Sequence, residues 1–87
     1  MKNKVLVKIY VPELDFEFDV FIPVNEIIWK VNKMITKSIS DLTGEALDAS
    51  KKYLFINKKT NEAYDNNLVI IDTDIRNATE LILLSAN

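Results

Sequence analysis

Apolar side chains recur along this chain in two different rhythms, and the change from one to the other marks out its elements. From Lys4 to Val11 the rhythm is two: Val5, Val7, Ile9 and Val11 alternate with Lys4, Leu6, Lys8 and Tyr10. Successive strand side chains point to opposite faces and β-branched residues suit the pleat, so a strand is predicted here. Pro12-Glu13-Leu14-Asp15 breaks the run as a turn would. Alternation resumes over 16–22, with Phe16, Phe18, Val20 and Ile22 on one side and Glu17, Asp19 and Phe21 on the other. Two such runs across so short a link predict a β-hairpin. Pro23, which has no N–H for a ladder, ends the second strand.

Beyond Pro23 the spacing lengthens. Ile27, Ile28, Val31, Met34, Ile35, Ile39 and Leu42 recur at steps of three and four, with Lys30, Lys33 and Lys37 on the opposite side. That predicts an amphipathic helix from Glu26 of about 17 residues, roughly 26 Å long. Asn25 is the expected N-cap and Gly44 the expected left-handed C-cap. Glu26 and Lys30 form an i,i+4 pair in the favourable orientation. Residues 45–52 are polar, with Leu47 as their large apolar anchor. Tyr53-Leu-Phe-Ile-Asn57 is predicted to be a third strand with Leu54 and Ile56 on one face, and 80–84 a last one. Between them, 62–65 fits a short edge strand, and the apolar run 68–71 is too short to assign.

One helix can cover one face of one sheet. The order hairpin, helix, strand, short strand, final strand therefore predicts an α+β fold: a β-grasp, or ubiquitin-like, mixed sheet of four to five strands with one long helix on one face. The first and last strands should lie parallel at its centre, with 1–87 forming one domain. At 10.0 kDa, surface scaling has such a chain bury about 64% of its unfolded surface. Hydrophobic residues at 48% and charged residues at 28% fit a globular chain.

Composition excludes several kinds of chemistry. With no His and no Cys, disulfides, Cys/His zinc sites and Ser-His or Cys-His catalysis are ruled out. A single glycine, Gly44, leaves no Gly-rich phosphate loop. A net charge of −2 gives no bulk attraction to nucleic acid. Asp72 and Asp74 are the nearest approach to an acid–base pair, but so small a domain offers little concavity, so no enzyme and no cofactor is expected. No stretch nears the roughly 20 apolar residues of a membrane span. The apolar 5–11 segment is interrupted by Lys8 and stopped by Pro12, unlike an export signal. A cytoplasmic protein without direct membrane insertion is expected, and the sequon Asn77-Ala78-Thr79 then carries no weight.

Two segments carry a family resemblance. Phe18-Asp19-Val20-Phe21-Ile22-Pro23-Val24 running into Ile27-Ile28-Trp29-Lys30-Val31 resembles the second strand and helix start of bacterial ubiquitin-like proteins. Asp72-Thr73-Asp74-Ile75-Arg76-Asn77-Ala78-Thr79-Glu80-Leu81-Ile82-Leu83 resembles their closing turn and strand. The chain is similar over nearly its whole length to the YukD-like family, encoded with type VII (WXG100-type) secretion systems of Gram-positive bacteria. That closing turn commonly carries a Gly; here Asn77-Ala78 replaces it, and Asn tolerates the left-handed region. The resemblance implies a non-catalytic accessory or regulator acting by protein–protein contact. Because actinobacterial relatives fuse a similar domain to a membrane protein, it also implies docking on a membrane component from the cytoplasmic side. A generic ubiquitin-like scaffold, or a dimerising adaptor in another cytoplasmic complex, is the alternative. Conjugation or sulfur carriage needs a flexible Gly-Gly tail that can thread an adenylating enzyme's channel. Leu84-Ser85-Ala86-Asn87 lacks it, so a modifier is not expected.

Candidate binding residues follow from the predicted faces. With Val5, Val7, Ile9, Leu54, Ile56, Leu81 and Leu83 toward the helix, the set Leu6, Tyr10, Phe21, Phe55, Ile82 and Leu84 points outward. Leu6, Phe55, Ile82 and Leu84 are expected to cluster there, as an apolar patch for a protein partner or for a homodimer contact. Alternatively, Lys4 and Lys8 cover these residues with their stems. Trp29 is a second candidate hot spot, on the helix side that carries Asn32, Thr36 and Ser40, unless it packs on Leu47. Glu13, Asp15, Glu17 and Asp19 fan out from the hairpin and are expected to be solvated or to protect an edge rather than converge on a cation. Lys51, Lys52, Lys58 and Lys59 suit solubility, or contact with acidic lipid heads or a partner's acids.

Overall fold

The computed structural model describes residues 3–45, 47–48 and 50–86. Among them four strands form one mixed sheet: β1 (Lys4–Val11), β2 (Phe16–Pro23), β3 (Tyr53–Asn57) and β4 (Glu80–Ser85). The spatial order is β2-β1-β4-β3, with β1 and β4 parallel and central and both flanking pairs antiparallel. The helix α1 (Ile28–Thr43) lies on one face. This is the ubiquitin-like β-grasp arrangement. The 62–65 segment contributes a single bridge, Ile56 to Ala63, rather than a fifth strand.

The β1–β2 link is one 3₁₀ turn, Pro12–Leu14, begun by a residue whose ring fixes φ for it. Asp15 closes the turn at φ 47°, left-handed backbone that Asp tolerates. The start of α1 departs from expectation: the N-cap is Ile27, not Asn25, and no side chain caps it. Carbonyls of a distant loop do so instead. The Ile28 N–H donates to Leu68 O at 2.8 Å and the Trp29 N–H to Asn66 O at 3.1 Å, which satisfies two otherwise orphaned donors. Gly44 ends the helix at φ 74°, its N–H on Ser40 O.

The core lies between this helix and the sheet. Val5, Val7, Ile9 and Val11 of β1, Leu81 and Leu83 of β4, and Ile28, Val31, Ile35 and Ile39 of α1 are buried. Met34 and Leu42, expected on the same helical stripe, are exposed. At about 100° per residue, Met34 falls far off the line of the buried four. Leu42 is in phase but sits in the last turn, at 65% exposure. Ile70 and Ile75 add buried side chains from the long β3–β4 connection, which the short apolar run alone did not reveal.

The facing of β3 is the reverse of the expectation. Tyr53, Phe55 and Asn57 face the core, and Leu54 and Ile56 are on the outer side. Phe55 pairs with Leu83 and is 1% exposed, so it belongs to no surface patch. The residues from Tyr53 to Ile56 are all apolar, so alternation fixes no phase, and a one-residue change of register exchanges the two faces.

Buried Asn57 holds the long connection that follows. Its Oδ1 accepts the Lys59 and Thr60 N–H groups at 2.8 and 3.2 Å, and its Nδ2 donates to the Tyr64 hydroxyl at 2.9 Å. Tyr64 in turn donates to Asp74. In the closing turn the left-handed residue is Ala78, at φ 73°, not Asn77. The Asn77 Oδ1 instead accepts the Leu6 N–H at 2.8 Å, and the Ala78 N–H donates to Leu6 O at 2.8 Å.

Candidate interaction surfaces

The sheet face away from α1 is open, and register decides which of its side chains meet. Tyr10 stands beside Ile82 in the parallel pair, Ile82 opposite Ile56, and Leu84 opposite Leu54. These five form an apolar patch across β1, β4 and β3, each half-buried. Leu6 is not part of it. Lys8 is level with Glu80 and Tyr10 with Ile82, which puts Leu6 about 13 Å from the Ile82 row along the strands. Leu6 pairs with Phe21, and the two, 38% and 48% exposed, share a recess with Asn77 and Ala78. A band of charge separates the patches: Lys8 and Glu17 pair at 3.7 Å, Lys58 and Glu80 at 3.8 Å, and Asp19 stands opposite Lys8. The expected single cluster of Leu6, Phe55, Ile82 and Leu84 is thus two patches without Phe55.

The second surface is a recess of about 530 Å³ along the side of α1. Trp29, Asn32, Thr36 and Ser40 form its helix wall, as their spacing implies, and Leu47, Tyr53 and Asn66 line it from the loops. The Asn32 carboxamide donates to Tyr53 O at 2.9 Å and fixes the helix against β3. Trp29 is 40% exposed and shares the recess with Leu47. Its ring lies 5.6 and 5.4 Å from the ammonium groups of Lys30 and Lys33. The Asn66 Oδ1 is buried without a hydrogen-bond partner.

Several of the charged groups are used locally. The Tyr53 hydroxyl donates to Glu13 at 2.9 Å, and Lys51 reaches the same carboxylate at 3.8 Å, which ties the hairpin turn to β3. Burial, then the Glu13 hydrogen bond, raises the Tyr53 phenol above its ordinary value. A hydrogen bond to Asp15 does the same for Tyr10. Ser50 donates its hydroxyl and its N–H to Asp48 and lowers that carboxylate. Among the described residues no three carboxylates converge as a metal site, and no helix is long and apolar enough to cross a membrane.

No protein-family model and no curated protein matches the sequence. Solved structures do match. A chain of the MycP5-free ESX-5 inner membrane complex is similar with a TM-score of 0.68 and 12% identity, over 95% of this chain and 21% of that one. This chain therefore spans about a fifth of that protein's length. The EccD5 ubiquitin-like domain from Mycobacterium xenopi is similar with a TM-score of 0.66 and 16% identity, over 97% and 96% of the two chains. A chain of the toluene 4 monooxygenase HD complex with 4-bromobenzoate reaches a TM-score of 0.74 at 8% identity, over 92% and 95%. Identities this low carry the fold and not the activity. Together with the strand order, they show that the chain has the ubiquitin-like β-grasp fold.

Proposed function

We propose that this chain is a non-catalytic protein-interaction module, an accessory or regulatory component of a type VII-like (WXG100) secretion system. The observation that carries the reading is the apolar patch of Tyr10, Ile82, Ile56, Leu84 and Leu54 on the sheet face that α1 leaves open. A contiguous apolar patch bordered by charge is the usual form of a protein-docking site. Similarity to the EccD5 ubiquitin-like domain and to a chain of the ESX-5 inner membrane complex supports the choice of machinery. So does the resemblance of the 18–31 and 72–83 segments to YukD-like bacterial proteins. The module acts by contact, from the cytoplasmic side. Its 87 residues hold no Gly-Gly pair, since their only glycine caps α1.

Ile82→Glu and Leu54→Lys test the reading as separate single variants. Each puts a charge on the outer face and leaves the core layer intact. Both should keep the wild-type circular dichroism spectrum and lose a secretion-system membrane component that the wild-type chain captures. Undiminished capture by both folded variants would remove the patch as the docking surface.

A further inference from the structure

We infer that the recess between α1 and residues 47, 48 and 51–53 docks an acidic, extended segment of a partner protein. Its carboxylates would meet Lys33, Lys37 and Lys52, and an apolar side chain would lie against Trp29 and Leu47. This rests on the interaction-module reading but uses a different surface, on the side of the helix rather than the open sheet face.

The chain as a whole carries a net charge of −2, yet the recess is cationic: Lys33, Lys37, Lys51 and Lys52 line it against one acid, Asp48. Of the four lysines one is already engaged in an ion pair. Lys51 pairs with Glu13 at 3.8 Å, and the Asp48 carboxylate accepts from Ser50. Among the described residues, Lys33, Lys37 and Lys52 pair with no carboxylate. Like charges gathered in a concave site with low-dielectric walls focus a positive potential and draw in anionic groups. Trp29, Leu47 and Tyr53 add apolar surface to the same lining. A half-exposed Trp with a cation over its ring is the type of anchor that dominates protein interfaces. Carboxylates and an apolar side chain on one flexible strand match both features. A bilayer matches them less well, because its headgroups lie in a plane and the apolar side chains line a concave recess beside the helix.

Trp29 is the only tryptophan and reports directly on the site. The probe is a blocked synthetic peptide of alternating Glu and Leu, titrated into the full chain while Trp emission is followed, with calorimetry as a second readout. A Gln/Leu peptide, phosphatidylserine vesicles and phosphatidylcholine vesicles serve as comparisons. A saturable blue shift with the Glu/Leu peptide, weakened by salt, is expected. The Lys33→Glu/Lys37→Glu variant should bind about tenfold more weakly, the scale of two exposed charge contacts reversed. Lys4→Glu/Lys59→Glu makes the same change in net charge away from the recess and should bind like wild type. Absence of saturable binding, equal binding of the Gln/Leu peptide, equal loss in both double variants, or a response to phosphatidylserine vesicles alone would each overturn the proposal. Capture through the sheet face provides the separation. If Lys33→Glu/Lys37→Glu still captures the membrane component while the peptide fails, only the recess is lost. If both fail in the wild-type chain, the interaction-module reading falls too.

Discussion

Ala78 sits at φ 73°, where a Cβ crowds the following carbonyl at a cost of about 1–2 kcal/mol. It stays there because the turn is held from both sides, by its own N–H on Leu6 O and by the Asn77 carboxamide on the Leu6 N–H. Ala78→Gly removes the Cβ and should stabilise the fold by about 0.5–1 kcal/mol, less than the full strain because the unfolded chain gains freedom. Gly44 is the mirror case. A Cβ there meets nothing within 4 Å, so Gly44→Ala should destabilise by about 1 kcal/mol through backbone strain alone. Urea midpoints of the two variants should move in opposite directions. Asn77 was visible in the sequence as a residue suited to left-handed backbone, but its side chain is committed to the edge of β1 and its neighbour takes the strained position. Composition at a turn names the residues available and does not assign the dihedral.

Between residue and fold, the Asn57–Tyr64–Asp74 chain of hydrogen bonds holds the long β3–β4 connection. Burial, then the hydrogen bond to Asp74, pushes the Tyr64 phenol from 10.0 up to about 12. A raised pKa means that the fold favours the neutral phenol. Its contribution is therefore complete below pH 10 and is lost as pH rises from 10 toward 12. Stability followed by urea unfolding should fall over that window in the wild-type chain and fall less in Tyr64→Phe. At neutral pH the same variant should cost about 1–3 kcal/mol, because the buried Asn57 amide loses its acceptor. β3 shows why part of the proposed docking surface was hidden in the sequence. In the hairpin strands every second residue is apolar and charges mark the other parity, and the buried faces match that pattern. The helix stripe is legible through Ile28, Val31, Ile35 and Ile39. In Tyr53-Leu-Phe-Ile both parities are apolar, so pairing with β4 alone decides which face is which. Phe55→Ala should therefore cost about 3–5 kcal/mol. Leu54→Ala, on the half-buried outer side, should cost well under half of that, as compared by thermal or chemical melting.

For the whole molecule, strand order could be anticipated because one amphipathic helix between a hairpin and a late strand has few ways to cover a single sheet. The offset between parallel strands could not be. It alone separates Leu6 from Ile82 and Leu84, and it leaves a charged band of Lys8, Asp19 and Glu80 between two apolar areas. The Trp29 recess was legible as a helix face, and its cationic character emerges only when the fold sets Lys51 and Lys52 around the same recess as Lys33 and Lys37. The most direct test of the interaction role is quantitative affinity capture from the native cell, read by mass spectrometry, with wild type and Ile82→Glu side by side. We expect the wild-type chain to recover a membrane component of a type VII-like secretion system and the folded variant to lose most of it. Recovery of that component in equal amounts by both proteins, or its absence from the wild-type capture, would contradict docking through the open face of the sheet.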